Sequence, residues 1–341
     1  MSYRVLLVLL PILSSCLGPS YYYQSINGHL DLLNKRVPII QLINDNKTPK
    51  KLKEQLKKTS KYREFAAKTL FLPTKGTYKT YADLKRHEAT WVVFASHPYK
   101  LSPKKWCFPV TGCLNYLGYF KKADAKKHAE KLKKLGMEVY INGSPAYSTL
   151  GWFDDPLLNT FINFSDEKLQ ALIYHELAHK KLYFADTPTL NESYAEAVSQ
   201  IGVRLWFEAQ NNHAQLQRIY KKQKQELEFI KNVQTVRKLL AKLYALPLDK
   251  TQMQRKKDII LQQAAKNYVN SWPKGWFSEG LNNAKLNSAN TYSRLVPQFL
   301  AIFAKEGRDI NRFHKIVEKI SKVDPKNREK MLNKFANISN D

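Results

Sequence analysis

The sequence predicts an α+β fold that is mostly helical, with a small mixed α/β sheet unit. Two patterns indicate this class. After residue 165, apolar side chains recur almost continuously at helical spacing, whereas short runs rich in β-branched and aromatic residues are confined to residues 90–153. The chain has 341 residues, of which 43% are hydrophobic, so it can bury a real core as one large domain or two to three small ones.

Residues 1–15 are expected to form an export signal. Arg4 precedes an apolar run from Val5 to Leu13, which is far shorter than the roughly 20 residues of a membrane-spanning helix. The quartet Leu13-Ser14-Ser15-Cys16 resembles the lipobox of bacterial lipoproteins, in which the cysteine is lipidated. An ordinary signal peptide with an incidental cysteine is the alternative. Because Leu17 is not Asp, the resemblance favours the periplasmic side of the outer membrane in a Gram-negative cell envelope.

The pattern divides the mature chain into four regions. Residues 16–89 form an N-terminal helical region, with a basic helical stretch from about 29 to 72. Residues 90–205 form the α/β core, residues 206–271 a long helical hairpin, and residues 272–341 a C-terminal helical region. The hairpin prediction rests on a long amphipathic pattern that is followed, after a proline, by a second helix from about 251 to 270.

Within the core region, four segments have distinct patterns. A buried strand is predicted from Thr90 to Ala95, and a lysine-rich amphipathic helix from about 122 to 135. A second strand is predicted from Met137 to Ile141, and the run Asn142-Gly143-Ser144-Pro145 is expected to break it. The segment from Ala146 to Phe153 is then expected to continue in extended form.

A zinc-binding helix is the strongest chemical signal in the chain, in the run His175-Glu176-Leu177-Ala178-His179. In a helix the two histidines lie one turn apart on one face, so both imidazoles can bind one Zn²⁺ ion per chain. Glu176 can then act as general base toward a water molecule on the metal. The alternative is a pair of surface histidines on a charged helix.

A catalytic zinc needs a third protein ligand and one open position. A second helix, predicted to begin near Thr189, offers Glu192 and Glu196 on one face. Glu192 is the favoured ligand. Its alternative role is a capping box, because Thr189 and Glu192 have that spacing.

These segments resemble known enzymes. The zinc helix followed by Asn191-Glu192-Ser193-Tyr194-Ala195 looks like the gluzincin metallopeptidases and is similar to the third-ligand segment of zinc aminopeptidases. Over nearly the whole mature chain the sequence resembles a family of predicted bacterial aminopeptidase lipoproteins. The segments that carry this resemblance are the lipobox, Tyr22-Tyr23-Gln24-Ser25, Gly28-His29-Leu30, Gly118-Tyr119-Phe120, the block 145–156 and Leu281-Asn282-Asn283-Ala284.

The resemblance implies further roles. Glu196 would orient the first histidine, and the extended segment at Ala146, Tyr147 and Ser148 would pair with the substrate backbone as an edge strand. Tyr147 or, in competition, Tyr292 would donate a hydrogen bond to the oxyanion of the intermediate. Asn282 and Asn283 are further candidates for substrate contact. The Gly-x-Met-Glu-Asn motif of larger aminopeptidases is absent, so the group that binds the substrate amine is not identified.

The cysteines fit an exported chain. With Cys16 assigned to lipid, Cys107 and Cys113 remain and are expected to close a small disulfide loop. Half of a metal site and two free thiols are the alternatives.

The sequence therefore predicts a zinc metallopeptidase that acts on peptides, expected to be an aminopeptidase, and is tethered to a membrane. The alternative is a non-catalytic envelope lipoprotein, a binding or scaffold protein with a structural or relict zinc. The net charge is +27, from 56 Lys and Arg against 29 Asp and Glu. For an exported chain, this charge favours anionic lipid or envelope polymers as contacts rather than nucleic acid.

Overall fold

The computed structural model describes residues 17–108, 112–147, 154–270, 272–273, 275–277 and 280–337. It confirms a mostly helical α+β fold with small sheets of two or three strands. The helices of this part of the chain are α1 (Pro19–Asn34), α2 (Ile39–Asn44), α3 (Lys50–Lys68), α4 (Lys122–Lys134), α5 (Asp166–Lys181), α6 (Pro188–Ala209), α7 (His213–Tyr244), α8 (Lys250–Tyr268), α9 (Asn283–Ser293), α10 (Val296–Lys305), α11 (Ile310–Ser321) and α12 (Arg328–Ala336).

The strands form three small sheets. They are β1 (Arg36–Pro38), β2 (Thr80–Ala82), β3 (Thr90–Ser96), β4 (Trp106–Phe108), β5 (Gly112–Leu114), β6 (Tyr116–Tyr119), β7 (Glu138–Ser144) and β8 (Leu157–Leu158). One sheet has the order β1-β2-β8, the second has the order β6-β3-β7, and β4 pairs with β5. The second sheet is antiparallel, with Trp91 opposite both Tyr119 and Gly143.

The basic stretch from about 29 to 72, expected to be helical, contains several helices and a short strand. Strand β1 interrupts it by pairing with β2, and Pro38 and Pro49 stand just before α2 and α3. A proline lacks the N–H that a helix interior needs, so each of these residues starts a new helix rather than continuing the old one.

Strand β7 is longer than predicted. It pairs with β3 as far as Ser144, so of the predicted break over residues 142–145 only Pro145 lies outside the strand. Gly143 permits this, because a Cβ there would lie 2.6 Å from the Glu88 carboxyl carbon. Ala146 and Tyr147 follow outside any strand, and residues 148–153, including Ser148, lie outside the described residues. The edges of the second sheet are therefore β6 and β7, among the residues that the structure describes.

The main hydrophobic core crosses the region boundaries expected from the pattern. It runs from Leu32 to Ala336 and has α5 and α6 at its centre. The two helices approach closely at Gly202, where a Cβ would lie 2.6 Å from Leu70 Cδ1 and from Tyr174 Cδ2. A second cluster joins α1 and α4 to the sheet of β3, β6 and β7.

The helical hairpin of α7 and α8 packs onto the rest of the molecule. A third hydrophobic cluster joins it to α9 through Leu240, Leu261 and Leu286. On α8, the fully buried Lys257 pairs with Glu138 of β7 and donates to the Pro98 carbonyl at 2.7 Å. These bonds hold the hairpin beside the edge strand.

Two further findings concern the expected anchor and the cysteines. Cys107 and Cys113 are joined by a disulfide between β4 and β5. Cys16, the expected lipid attachment site, lies outside the described residues. In the described ranges, no helix has the length and apolar character needed to cross a membrane.

Candidate active site

The zinc-motif helix α5 begins with a side-chain cap. Ser165 Oγ accepts a hydrogen bond from the Lys168 N–H at 3.5 Å. Asp166 and Glu167 lie in the first turn, where their negative charges interact favourably with the positive end of the helix dipole. Leu169 and Leu177 on the core side are fully buried. The cap thus fixes where the helix starts, and the buried leucines fix which of its faces packs against the core.

The two histidines converge as the spacing predicted. His175 Nε2 lies 3.2 Å from His179 Nε2. Their side chains are only 16% and 5% exposed. Two largely buried imidazole nitrogens at this distance are compatible with a shared metal ion and do not fit a solvated surface pair.

Glu192 of α6 completes the cluster. Its Oε2 lies 3.4 Å from His175 Nε2 and 3.7 Å from His179 Nε2, and one ligand atom from each of the three residues lies within 4.8 Å of the others. The capping alternative does not fit this geometry. Helix α6 starts at Pro188 with Thr187 as its N-cap, and no side chain caps that end.

The loop between α5 and α6 is tied down from both sides. The Phe184 N–H donates to Asn191 Oδ1 at 2.7 Å, and Asn191 Nδ2 donates back to the Phe184 carbonyl at 2.8 Å. From α12, Arg328 Nη1 donates to the Ala185 carbonyl at 2.6 Å and to Thr187 Oγ1 at 3.1 Å. These bonds let a short loop reverse the chain and bring Glu192 over the histidines.

The electrostatics of the cluster favour a bound cation. Burial opposes ionisation of Glu192, but the two histidine rings outweigh it and lower the pKa of this carboxyl. Burial likewise opposes a charge on His175, yet hydrogen bonds to Glu192 and Glu196 and the charge of Glu176 raise its pKa. Three carboxylates around two imidazoles thus create a site that stabilises positive charge.

The Glu196 carboxylate contacts the His175 ring, as a carboxylate that orients this ring would. Its Oε2 is 3.7 Å from His175 Nδ1, on the side of the ring away from Glu192. Its Oε1 accepts a hydrogen bond from Gln200 Nε2 at 3.1 Å. The acid therefore contacts both the ring and a neighbouring polar group.

A pair of tyrosines borders the cluster. Tyr116 of β6 donates to Glu192 Oε1 at 3.2 Å, and burial, followed by the charge of Glu192, raises its pKa well above 10. Burial and the charges of Glu192 and Glu176 also raise the pKa of Tyr292 on α9, while a hydrogen bond with Tyr116 opposes this shift. Both phenols therefore stay protonated and can donate hydrogen bonds at neutral pH.

Of the two tyrosines considered as oxyanion donors, the structure brings only Tyr292 to this cluster. Tyr147 packs against the rings of His29 and Phe120, with centroid distances of 5.8 and 4.8 Å. Burial and then the charge of Asp155 raise its pKa to about 12.

The asparagines near residue 282 have structural partners. Asn282 caps α9 by accepting from the Lys285 N–H at 2.9 Å, and it donates to the Val139 carbonyl at 3.2 Å. Asn283 has no exposed surface, and its Nδ2 donates to the carbonyls of His97, Pro98 and Lys100. This geometry favours a structural role over the predicted substrate contact.

The family model described as "Putative aminopeptidase" matches residues 20–332. The chain belongs to this family. The match spans all the elements of the cluster, from β6 to α9, and Cys16 lies before its start. No curated protein and no solved structure matches the chain.

Two residues that contribute to the candidate site of this aminopeptidase-family protein were not predicted from the sequence. Tyr116 lies on a strand in another part of the chain, and nothing in the local spacing links it to Glu192. Asn191 was visible beside Glu192, but its bonds to Phe184 require knowledge of the loop conformation. A further group, Glu226 of α7, reaches Gln200 from the hairpin and had no signal beyond helical periodicity.

Proposed function

We propose that this aminopeptidase-family protein is a zinc-dependent enzyme that removes amino-terminal residues from peptides. The observation that carries the proposal is the convergence of His175, His179 and Glu192 within 4.8 Å, with Glu176 next to the first histidine. Family membership supports the peptidase class, and the donor set supports the metal.

The residues fit a zinc ion by the chemistry of their donor atoms. Two imidazole nitrogens and one carboxylate oxygen are the donors of the His₂Glu class, which leaves one coordination position open. The Tyr116 hydroxyl occupies the other oxygen of Glu192, so Oε2 is left for the metal. When bound, zinc would act as a Lewis acid toward a peptide carbonyl and a water molecule.

The chain's own residues supply the proton transfers and the hydrogen bonds. The Glu176 carboxylate accepts a proton from the attacking water and delivers it to the departing amine nitrogen. The Tyr292 hydroxyl donates a hydrogen bond to the oxyanion that develops on the former carbonyl oxygen. Glu196 holds the His175 ring through Nδ1 and thereby fixes which nitrogen remains for the metal.

The test combines metal analysis with hydrolysis of fluorogenic aminoacyl reporters. Wild type should contain one zinc per chain and cleave the reporters. Glu176→Gln should keep the zinc and lose at least about 100-fold in kcat, as expected for removal of a general base. Glu130→Gln, at an exposed glutamate of α4, is the matched control and should behave as wild type.

The reporters also separate the competing functions. Reporters with a free amine should be cleaved, and the same compounds after N-acetylation should not, since an aminopeptidase requires a free amino terminus. Stoichiometric zinc without hydrolysis of any reporter or peptide pool would instead support a non-catalytic envelope scaffold.

We also propose that the protein is anchored through Cys16 in the cell envelope, more specifically at the outer membrane. The proposal rests on the lipobox-like residues before Cys16 and on the net charge of +27, which suits anionic lipid headgroups or envelope polymers. Mass spectrometry of the mature amino terminus should find a diacylglyceryl group on Cys16, and Cys16→Ser should release the protein from membranes. An uncleaved, cytosolic chain would overturn the proposal and favour nucleic acid as the partner of the basic surface.

A further inference from the structure

A cavity of about 470 Å³ lies beside the candidate metal centre. The edge strand β7, α6, α7 and α9 contribute its walls. Tyr292 and Glu196 both line this cavity. The charges of Glu192 and Glu176 help to raise the pKa of Tyr292, and Glu196 contacts His175. The cavity is therefore next to the position where a substrate would react.

The polar end of the cavity consists of hydrogen-bond acceptors. Gln200 Nε2 donates to Glu196 Oε1 and to Glu226 Oε2, both at 3.1 Å. Gln200 itself is only 8% exposed, and its Oε1 is buried with no partner among the residues that the structure describes. The buried Gln200 Oε1 lacks a donor and the two carboxylates keep further acceptor positions, so a ligand with several N–H groups would complete this set.

The same end has an excess of negative charge. Among the residues that the structure describes, Glu167, Glu196 and Glu226 share the ammonium of Lys222, which lies 2.9 Å from Glu167 Oε1 but 4.0 Å from Glu226 Oε1, and Glu196 also faces the His175 ring. Burial and then the charge of Glu196 raise the pKa of Glu226 to about 7. The Glu196 and Glu226 side chains are still 34% and 38% exposed, so a cationic ligand can reach both.

The rest of the cavity is lined by apolar and aromatic groups. Phe229 and Ile230 follow Glu226 on α7, Trp276 packs against Phe229 with ring centroids 5.2 Å apart, and Val92 and Phe94 come from β3. Such walls suit a methylene chain, and the acceptors suit a cationic head group. This combination matches the side chain of lysine or arginine better than a fully apolar or an acidic side chain.

The distance between the acidic end and the candidate metal centre determines which part of a substrate this end can bind. The contacts lead outward from His175 Nδ1 through Glu196 at 3.7 Å and then Gln200 at 3.1 Å to Glu226 at 3.1 Å. A main-chain α-ammonium is only two bonds, or about 2.5 Å, from the carbonyl carbon that is attacked. An extended lysine or arginine side chain reaches about 6–7 Å from its Cα, which suits the more distant end.

We propose that this cavity binds the side chain of the residue on the amino side of the cleaved bond, and that it selects lysine and arginine. The cationic head group binds the Glu226 carboxylate and Gln200 Oε1, and the side-chain stem packs along the apolar walls. This inference rests on the proposed peptidase function and adds the substrate class.

The test uses zinc-loaded full-length protein and four reporters of matched size. Lysyl and arginyl reporters should be cleaved with kcat/KM about 10- to 100-fold above norleucyl and methionyl reporters, the range of one charge-assisted hydrogen bond. Glu226→Gln should remove most of this preference, while kcat/KM for the norleucyl reporter changes less than about threefold. Glu228→Gln, an exposed glutamate on the same helix, is the matched control and should keep the preference.

The outcomes separate the two proposals. Cleavage of all four reporters without a basic preference, or an equal loss on all four in Glu226→Gln, would overturn the specificity while the peptidase function stands. Absence of cleavage of every aminoacyl reporter by wild type would overturn the peptidase function and the specificity with it. Unchanged zinc content in Glu226→Gln is expected in each case and excludes an indirect loss of metal.

Discussion

Asn191 and Phe184 form a closed pair of hydrogen bonds across the loop between the two site helices. The Asn191 amide accepts from the Phe184 N–H at 2.7 Å and donates to its carbonyl at 2.8 Å, and Asn191 is 5% exposed. Because Glu192 is the next residue, this clasp sets the direction from which its carboxylate meets His175. A side chain outside the cluster of His175, His179 and Glu192 thus positions the Glu192 carboxylate.

Asn191→Ala should therefore weaken zinc binding by about 10- to 100-fold, the range for loss of a supporting hydrogen bond near a metal site. It should also lower the free energy of unfolding by about 2–4 kcal/mol, because two buried backbone groups lose their partners. Zinc competition titration and urea unfolding measure the two effects. Thr189→Ala, two residues earlier on α6, is the control; equal zinc affinity in both variants would contradict the role given to the clasp.

Gly202 controls the spacing between α5 and α6. A Cβ at this position would lie 2.6 Å from Leu70 Cδ1 and from Tyr174 Cδ2, and Tyr174 immediately precedes His175. Gly202→Ala should lower the free energy of unfolding by about 1–3 kcal/mol through overpacking, despite a gain of about 1 kcal/mol in helix propensity. Gly118→Ala adds a methyl group where nothing lies within 4 Å, so thermal unfolding should show a much smaller change. A stabilised Gly202→Ala would show that the helices can separate at little cost.

The two tyrosines considered as oxyanion donors can be separated by kinetics. Tyr292→Phe should lower kcat by about 10²- to 10³-fold with KM nearly unchanged, because its hydrogen bond would form only in the transition state. Tyr147→Phe should keep kcat within about threefold of wild type, since Tyr147 packs against Phe120 and His29 instead. Zinc content should not change in either variant. A larger kcat loss in Tyr147→Phe would reverse the assignment.

The sequence was most informative where the chemistry is local. The spacing of His175 and His179 in a helix is enough to place both rings on one face, and the structure has them 3.2 Å apart. Glu192 could be predicted for a related reason, because a short loop makes the next helix run back along the first. In both cases the geometry depends on residues close in the chain.

The remaining features depend on contacts between distant segments. Strand β1 forms only because β2 pairs with it, and helix periodicity in the basic stretch gave no sign of this. Asn283 looked like a substrate ligand from its position in a family-like segment. The structure instead buries it against the loop that contains His97 and Pro98. Such roles follow from packing that a single sequence does not encode locally.

His314 makes folding stability depend on pH. The Leu70 carbonyl can only accept, so His314 Nε2–H donates to it at 3.0 Å, and Nδ1 accepts from the Tyr194 hydroxyl at 3.0 Å. Burial lowers the pKa of His314 from 6.5 to about 4, against the opposing effect of the Leu70 carbonyl. The folded protein therefore binds a proton at His314 less readily than the unfolded chain does.

The sign of the effect follows from this difference in proton binding. Above pH 6.5 the His314 ring is neutral in both states and contributes no pH dependence. Between pH 6.5 and about 4 the unfolded chain gains the proton first, so the free energy of unfolding should fall by up to about 3 kcal/mol. Urea unfolding of metal-free wild type and His314→Gln across this range measures the contribution of His314 to the free energy of unfolding. The contributions of the other titrating groups cancel in the difference between the two proteins. His314→Gln should lose this part of the slope even if it is less stable at pH 7.5. Parallel curves for the two proteins would show that His314 is protonated equally in both states.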